Sequence, residues 1–127
     1  MKLGAIVFDC KNAEELFHFY QSLLGGNKEI HTINEDHWIA LIDIPDFPCS
    51  FIFQEEPAYC EPVWPSSADE HQQMMHLDFY VPATQLETLK QRALALGAKV
   101  AEGHTHPGWH ILLDPAGHPF CLIPVSE

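Results

Sequence analysis

The sequence predicts an α+β fold made of two βαβββ modules, one in each half of the chain. The same order of strand-like and helix-like patterns occurs in both halves, and landmark residues recur at a constant offset. Trp38 and Asp43 in the first half are matched by Trp109 and Asp114, each 71 residues later. Repetition at such a period indicates a duplicated supersecondary unit. The length of 127 residues is that of one compact domain.

Residues 1–55 form the first predicted module. An apolar, partly β-branched run at residues 3–8 is typical of a strand. Asn12 followed by Glu15 is a capping-box pattern, and apolar residues at helical spacing then continue to the Gly25-Gly26 pair. Three further strands, separated by turn-forming residues, are predicted at residues 28–33, 38–44 and 50–54.

The second predicted module, residues 74–127, opens with a strict alternation of apolar and polar positions over residues 74–81. Alternate side chains of a strand point to opposite faces, so His76, Asp78 and Tyr80 are expected together on one face. A histidine with a carboxylate two residues away is a candidate for polar contacts to a ligand or for proton transfer.

A second capping-box pattern, Thr84 with Glu87, predicts a helix that ends at Gly97. Strands that complete this module are predicted at residues 99–102, 110–113 and 120–124. Residues 56–73, rich in Pro, Ser and acidic residues, form a predicted connector between the modules. Trp64 in this connector is expected either to pack on the protein or to contact a ligand.

The charge of the chain restricts its partners. Six Lys and Arg residues stand against 18 Asp and Glu residues, which gives a formal net charge of −12. Such a surface repels phosphate backbones and anionic membranes, so neither nucleic acid nor a membrane is expected as a partner. A cationic ligand would be attracted, although solubility alone also accounts for this charge.

Cysteine usage and the lack of long apolar stretches predict a cytoplasmic protein. The four cysteines form no CxxC pair and match no structural zinc framework. The first residues lack the apolar region of a signal peptide, and no stretch reaches the roughly 20 apolar residues of a membrane span.

The repeat and its motifs, taken in chain order, resemble the vicinal oxygen chelate superfamily, which includes glyoxalases, bleomycin-resistance proteins and extradiol dioxygenases. The matching segments span nearly the whole chain: Phe8-Asp9-Cys10, Phe19-Tyr20, Leu23-Leu24-Gly25, His76-Leu77-Asp78, Leu96-Gly97-Ala98 and residues 114–120. The glyoxalase-like branch is the most similar, because Trp64-Pro65 precedes the His-Leu-Asp strand. The resemblance implies a cupped eight-stranded mixed sheet with the helices outside, and a homodimer.

In this superfamily the metal ligands come from the first and last strands of each module. The matching positions here are Ala5, about Gln54, His76 and Cys121. Ala5 offers no ligand atom, and the apolar neighbours of Cys121 predict a buried thiol with a raised pKa. No metal site is therefore assigned; His76, Gln54 and Cys121 are the candidates if a divalent metal is bound.

The resemblance implies a glyoxalase-like protein that binds a small organic ligand without the standard metal site. The residues expected to contact that ligand are aromatic or polar: His76, Asp78, Tyr80, Trp38, Phe51, Phe53, Trp64 and Trp109. Whether the protein is an enzyme stays open, because the sequence contains no nucleophile elbow and no phosphate-binding glycine loop. Catalytic residues are accordingly unassigned.

Three alternatives remain at this point. The protein is a metal-dependent lyase or dioxygenase if His76 finds non-standard partners among Gln54, Cys121, His110 and His118. It sequesters an antibiotic, as bleomycin-resistance proteins do, if its acidity serves to hold a cationic drug. It is a non-enzymatic interaction module if the acidic surface or the connector binds another protein.

Overall fold

The structure is a computed structural model that describes residues 2–33, 36–64, 69, 71, 74–102 and 108–126. The chain divides into two compact units, Met1–Tyr59 and Cys60–Glu127. Each unit contains one four-stranded sheet and one α-helix within the described residues. The predicted α+β fold with two βαβββ modules is confirmed.

The first unit contains five elements in the predicted order. They are β1 (Ala5–Cys10), α1 (Ala13–Leu24), β2 (Asn27–Ile33), β3 (Asp36–Ile42) and β4 (Ser50–Glu55). The strands lie in the order β1-β4-β3-β2, with β1 parallel to β4 and the other neighbours antiparallel. The last strand of the unit therefore lies beside the first and runs in the same direction.

Helix α1 begins and ends where the sequence predicts. The side chain of Asn12 accepts a hydrogen bond of 3.0 Å from the backbone N–H of Glu15, which satisfies one donor of the first helical turn. Gly25 follows the helix with a φ of 80°, a conformation that glycine adopts without a steric penalty.

An aromatic cluster joins α1 to its sheet. Phe51 and Phe53 of β4 are fully buried, and Tyr20 of α1 lies 5.5 Å from the first ring and 5.7 Å from the second, measured between centroids. Phe8 of β1 completes the cluster, 4.9 Å from Phe51. The expectation that Phe51 and Phe53 contact a ligand is wrong, because both rings are fully enclosed by this core.

The second unit repeats the arrangement of the first. Its elements are β5 (Leu77–Pro82), a short 3-10 helix (Ala83–Gln85), α2 (Leu86–Ala95), β6 (Lys99–Val100), β7 (His110–Leu113) and β8 (Pro119–Val125). The strand order β5-β8-β7-β6 is equivalent to that of the first sheet, and β5 is again parallel to β8. The internal repeat predicted from the sequence is therefore present in the topology.

Several boundaries in the second unit differ from the prediction. Strand β6 ends at Val100, two residues before the predicted end, and β8 extends one residue beyond the prediction at each end. Strand β5 begins at Leu77, three residues after the start of the alternating pattern. Thr84 is not the cap of α2, because it lies inside the 3-10 helix and α2 has no side-chain cap. The backbone N–H of Leu86 bonds instead to the carbonyl of Ala83, so the 3-10 turn leads directly into the helix.

The two α-helices of the described residues contain 12 and 10 residues. Neither has the length and apolar character that would let it span a bilayer.

Candidate functional site

The register of β5 and β8 brings two candidate residues together. Asp78 is paired with Cys121, and Tyr80 is paired with Ile123, in this parallel ladder. Paired residues on neighbouring strands point to the same face, and the strands lie about 4.8 Å apart. Asp78, Tyr80 and Cys121 therefore share one face of the second sheet.

His76 joins this group from the residue before β5. Its Nε2 atom lies 3.4 Å from Oδ1 of Asp78, and each of the two side chains is 38% exposed. One ligand atom from each of His76, Asp78 and Cys121 can be chosen so that all three lie within 4.8 Å of one another. An imidazole, a carboxylate and a thiol thus meet at one point on the surface, and we call these three residues the donor cluster.

Cys121 is the buried member of the donor cluster. It is 4% exposed and packs with Ala101, Ile111 and Ile123, three apolar residues of the same unit. This burial, followed by a hydrogen bond to Asp78 and the negative charge of that carboxylate, raises the pKa of the thiol to about 11. Cys121 is therefore a neutral thiol at pH 7 that donates its hydrogen to Asp78, as its apolar neighbours in the sequence predict.

Two aromatic side chains flank the donor cluster. The ring of Trp64 lies 5.8 Å from the ring of His76 and packs against the apolar residues around Cys121. Tyr80 follows Asp78 on the same face, and 71% of it is exposed. The face thus combines polar groups that fix orientation with aromatic surface that contacts apolar parts of a ligand, as in many small-molecule sites.

His110 lies on the opposite face of the second sheet. Because Ile111 is paired with Cys121, the neighbouring His110 points to the other side, towards α2. There its Nε2 atom lies 3.4 Å from Oε2 of Glu87. The hydrogen bonds that Glu87 accepts from Gln91 and His110 lower the pKa of this carboxyl group, together with the charges of Lys90 and His110. His110 is therefore not a partner of His76.

His118 also has a structural partner away from the donor cluster. Its Nδ1 atom lies 2.8 Å from Oδ2 of Asp114, which is 2% exposed. The same carboxylate accepts hydrogen bonds of 2.9 Å from the backbone N–H groups of Ala116 and His118. The pair of Asp114 and His118 holds the turn between β7 and β8, which corrects the alternative that His118 joins His76.

The remaining candidates lie on or beside other strands. In the first unit, Gln54 of β4 is exposed and is paired with Trp38 of β3, which is half-buried. Ala5 is the first residue of β1. In the second unit, Trp109 precedes β7 directly and is 37% exposed.

The pairing of Asp78 with Cys121 is the feature that sequence reasoning missed. Both residues are candidates from the sequence, but for different roles, since Asp78 is predicted as a ligand contact and Cys121 as a metal candidate. Their contact depends on the register between strands that are 43 positions apart in the chain. The parallel pairing of first and last strands in a βαβββ module brings these strands together, but it does not specify that register.

Comparison with known proteins gives a family and a set of related folds. A family model described as a glyoxalase-like domain matches residues 5–123. Comparison with curated proteins gives no match.

Among solved structures, the fosfomycin resistance protein FosX from Listeria monocytogenes aligns with a TM-score of 0.70 at 16% identity, over 98% of this chain and 91% of that one. FosX from Mesorhizobium loti aligns with a TM-score of 0.71 at 13% identity, over 98% and 91% of the two chains. A mutant of the Listeria protein, in complex with Mn(II) and 1S,2S-dihydroxypropylphosphonic acid, aligns with a TM-score of 0.69 at 14% identity, over 97% and 92%. At these identities the likeness shows a shared fold.

Proposed function

The chain belongs to the glyoxalase-like domain family, within the vicinal oxygen chelate superfamily, and on that premise we propose that it binds a small organic molecule. The proposed site is the face of the second sheet that carries the donor cluster. The observation that carries the proposal is the meeting of His76 and Asp78, both partly exposed, beside the rings of Trp64 and Tyr80.

The distribution of charge supports a neutral or cationic ligand. The basic residues of the second unit are Lys90 and Arg92 on α2 and Lys99 on β6. Helix α2 packs on the opposite face, and β6 is separated from β5 by two strands, or about 14 Å between the strand axes. Among the described residues of this unit, the imidazole of His76 lies beside the carboxylate of Asp78, but no Lys or Arg does, so the carboxylate would repel a phosphonate and attract an ammonium group.

A thermal-shift screen tests this proposal. A ligand present at 100 times its Kd stabilises the folded state by about 2.7 kcal/mol, which is measurable as a rise in Tm. The screen compares organic amines, including bleomycin-type antibiotics, with phosphonates of similar size. Binding by amines that is lost in Asp78→Asn, and retained in the exposed helix variant His18→Ala, supports the proposal. Equal shifts in both variants, or none with any compound, would contradict it.

The narrower hypothesis of antibiotic sequestration is decided by the same screen. A rise in Tm with bleomycin-type ligands alone, without turnover of the compound, favours sequestration. A rise with smaller amines as well favours a more general binding protein.

A second candidate function is that of a metal-dependent lyase or dioxygenase, and the donor cluster is the observation that favours it. Imidazole, carboxylate and thiolate groups all bind divalent metals, and three protein ligands leave a position open for substrate. His76, Asp78 and Cys121 would hold the metal, which supplies Lewis acidity to a bound substrate oxygen.

The two candidates differ in their response to one substitution. If the protein is a metal-dependent enzyme, His76→Ala removes metal and activity together. If it is a metal-free binding protein, His76→Ala changes ligand affinity, and metal content does not correlate with binding.

We further propose that the protein acts as a homodimer in the cytoplasm. All four cysteines lie within the described residues and none forms a disulfide, which supports a reducing compartment. Light scattering coupled to size-exclusion chromatography tests the dimer, and a mass of one chain at micromolar concentration would contradict it.

A further inference from the structure

The donor cluster combines three chemically different ligand atoms. His76 offers a ring nitrogen, Asp78 a carboxylate oxygen and Cys121 a sulfur, from one residue before β5, from β5 itself and from β8. The positions of Asp78 and Cys121 are fixed by the sheet, because these two residues are directly paired in the parallel ladder. Ligands on rigid strands keep their spacing better than ligands on loops.

The spacing of these atoms fits a small tetrahedral ion. Zinc binds sulfur at about 2.3 Å and nitrogen or oxygen at about 2.0 to 2.2 Å, so two donors of a tetrahedral site lie roughly 3.3 to 3.6 Å apart. The separation of His76 Nε2 from Asp78 Oδ1 is 3.4 Å, already within that range. All three donors lie within 4.8 Å of one another, so the widest pair needs to close by at most about 1.3 Å.

A thiolate at Cys121 would need a cation beside it. Ala101, Ile111 and Ile123 enclose the sulfur with apolar side chains, while Trp64 packs over the same cluster. A thiolate in such a place is poorly solvated, so the positive charge of a metal ion is the strongest available partner for it. His76 and Asp78 are partly exposed, which leaves the solvent side of the cluster open to a further ligand.

We propose that His76, Asp78 and Cys121 form a three-ligand site that prefers zinc-like ions to manganese(II), with the Cys121 thiolate as one ligand. This inference rests on the metal-dependent candidate function above. On binding, the thiol proton passes to solvent and a metal–sulfur bond forms, without any change of oxidation state. Thiolate and imidazole ligands favour zinc, cobalt and nickel, whereas manganese prefers oxygen ligands. The preference would differ from the Mn(II) present in the FosX complex.

Cobalt(II) provides a direct readout of the metal–sulfur bond. The untagged full chain is incubated with zinc, cobalt or manganese, desalted under reducing conditions and analysed for metal by mass spectrometry. We expect about one zinc or cobalt per chain, and manganese binding weaker by about tenfold or more. The cobalt protein should show a sulfur-to-metal charge-transfer band in the near ultraviolet. No organic ligand is added, so the measurement does not depend on the ligand-binding proposal.

Three substitutions and two matched controls assign the site. His76→Ala, Asp78→Asn and Cys121→Ser should each weaken zinc binding by about tenfold or more, and Cys121→Ser should also remove the charge-transfer band. The controls are His18→Ala and Cys60→Ser, which remove one imidazole and one thiol at exposed positions and should change neither result. Circular dichroism verifies folding of each variant. His76 and Asp78 are partly exposed, so their variants decide the question if Cys121→Ser does not fold.

The proposal is overturned by any of three results. The first is that His76→Ala retains as much zinc as the wild type. The second is that the cobalt protein shows no charge-transfer band. The third is that the wild type retains manganese to the same extent as zinc. If one of these occurs while amines still raise the Tm, the zinc site is wrong and the ligand-binding function stands. If zinc binds as expected and no organic compound raises the Tm, the zinc site stands and the ligand-binding function is wrong.

Discussion

Replacing Phe53 by Ala tests the arrangement of the first unit most sharply. Phe53 is fully buried, and its ring stacks on that of Tyr20 with an interplanar angle of 4° and a centroid separation of 5.7 Å. It also contacts Phe8 at 5.5 Å and Phe17 at 6.4 Å. Truncation of a buried Phe to Ala costs about 3 to 5 kcal/mol, because apolar burial is lost and a cavity remains.

The loss should fall in the upper half of that range. Aromatic pairs contribute about 0.5 to 1.5 kcal/mol beyond area burial, and Phe53 takes part in several. We therefore expect the free energy of unfolding of Phe53→Ala to fall by about 4 to 5 kcal/mol in a urea titration. The matched control is Tyr80→Ala, which removes an aromatic ring that is 71% exposed and should cost less than about 1 kcal/mol.

The same two variants separate core residues from ligand contacts. Tyr80→Ala should weaken binding of the organic ligand with little change in stability, whereas Phe53→Ala should reduce stability first. A Phe53→Ala protein of nearly wild-type stability that has lost ligand binding would refute this reasoning. It would place Phe53 on a binding surface, as the sequence alone suggested, and not in the core.

The remaining predictions concern Cys121 and α1. In Asp78→Asn, the pKa of the Cys121 thiol should fall below about 11 but stay above 9.0, because burial, the larger cause, remains; the pH dependence of thiolate absorbance checks this. Since the folded pKa exceeds the unfolded value, the thiol stabilises the fold fully below pH 9.0 and loses this effect as the pH rises towards about 11. Across that pH window, the free energy of unfolding from urea titrations should decline more steeply for the wild type than for Cys121→Ser. Parallel declines would contradict the raised pKa of Cys121. Asn12→Ala should cost about 1 kcal/mol of unfolding free energy, since the cap to the Glu15 N–H is lost; no change would show that the cap does not contribute.

Much of the architecture could be predicted because it depends on patterns within short segments. The strand at residues 110–113 has the predicted bounds, and the cap at Asn12 forms as predicted. Both depend on neighbours along the chain, where periodicity and side-chain chemistry act directly. The duplicated order of elements follows for the same reason, because each half carries the same sequence of local patterns.

The errors occur where a local pattern has more than one outcome. The Thr84 pattern is compatible with a capped helix, but the backbone continues from Pro82 through a 3-10 turn and needs no side-chain cap. Phe51 and Phe53 alternate along β4 as a binding face would, yet α1 covers that side of the sheet. Alternation shows which residues share a face, but not which face the helix covers.

That Asp78 and Tyr80 share a face follows from the amino-acid sequence, because side chains alternate along any strand; His76 joins them from the residue before β5. The pairing of Cys121 with Asp78 and the contact of His110 with Glu87 arise only when the chain folds. A shift of β8 by one residue would turn Cys121 to the other face and leave the local patterns of both strands unchanged. The register is selected by the packing of Phe79 on Phe120 and of Ile111 beside Cys121, contacts that exist only once the module has folded.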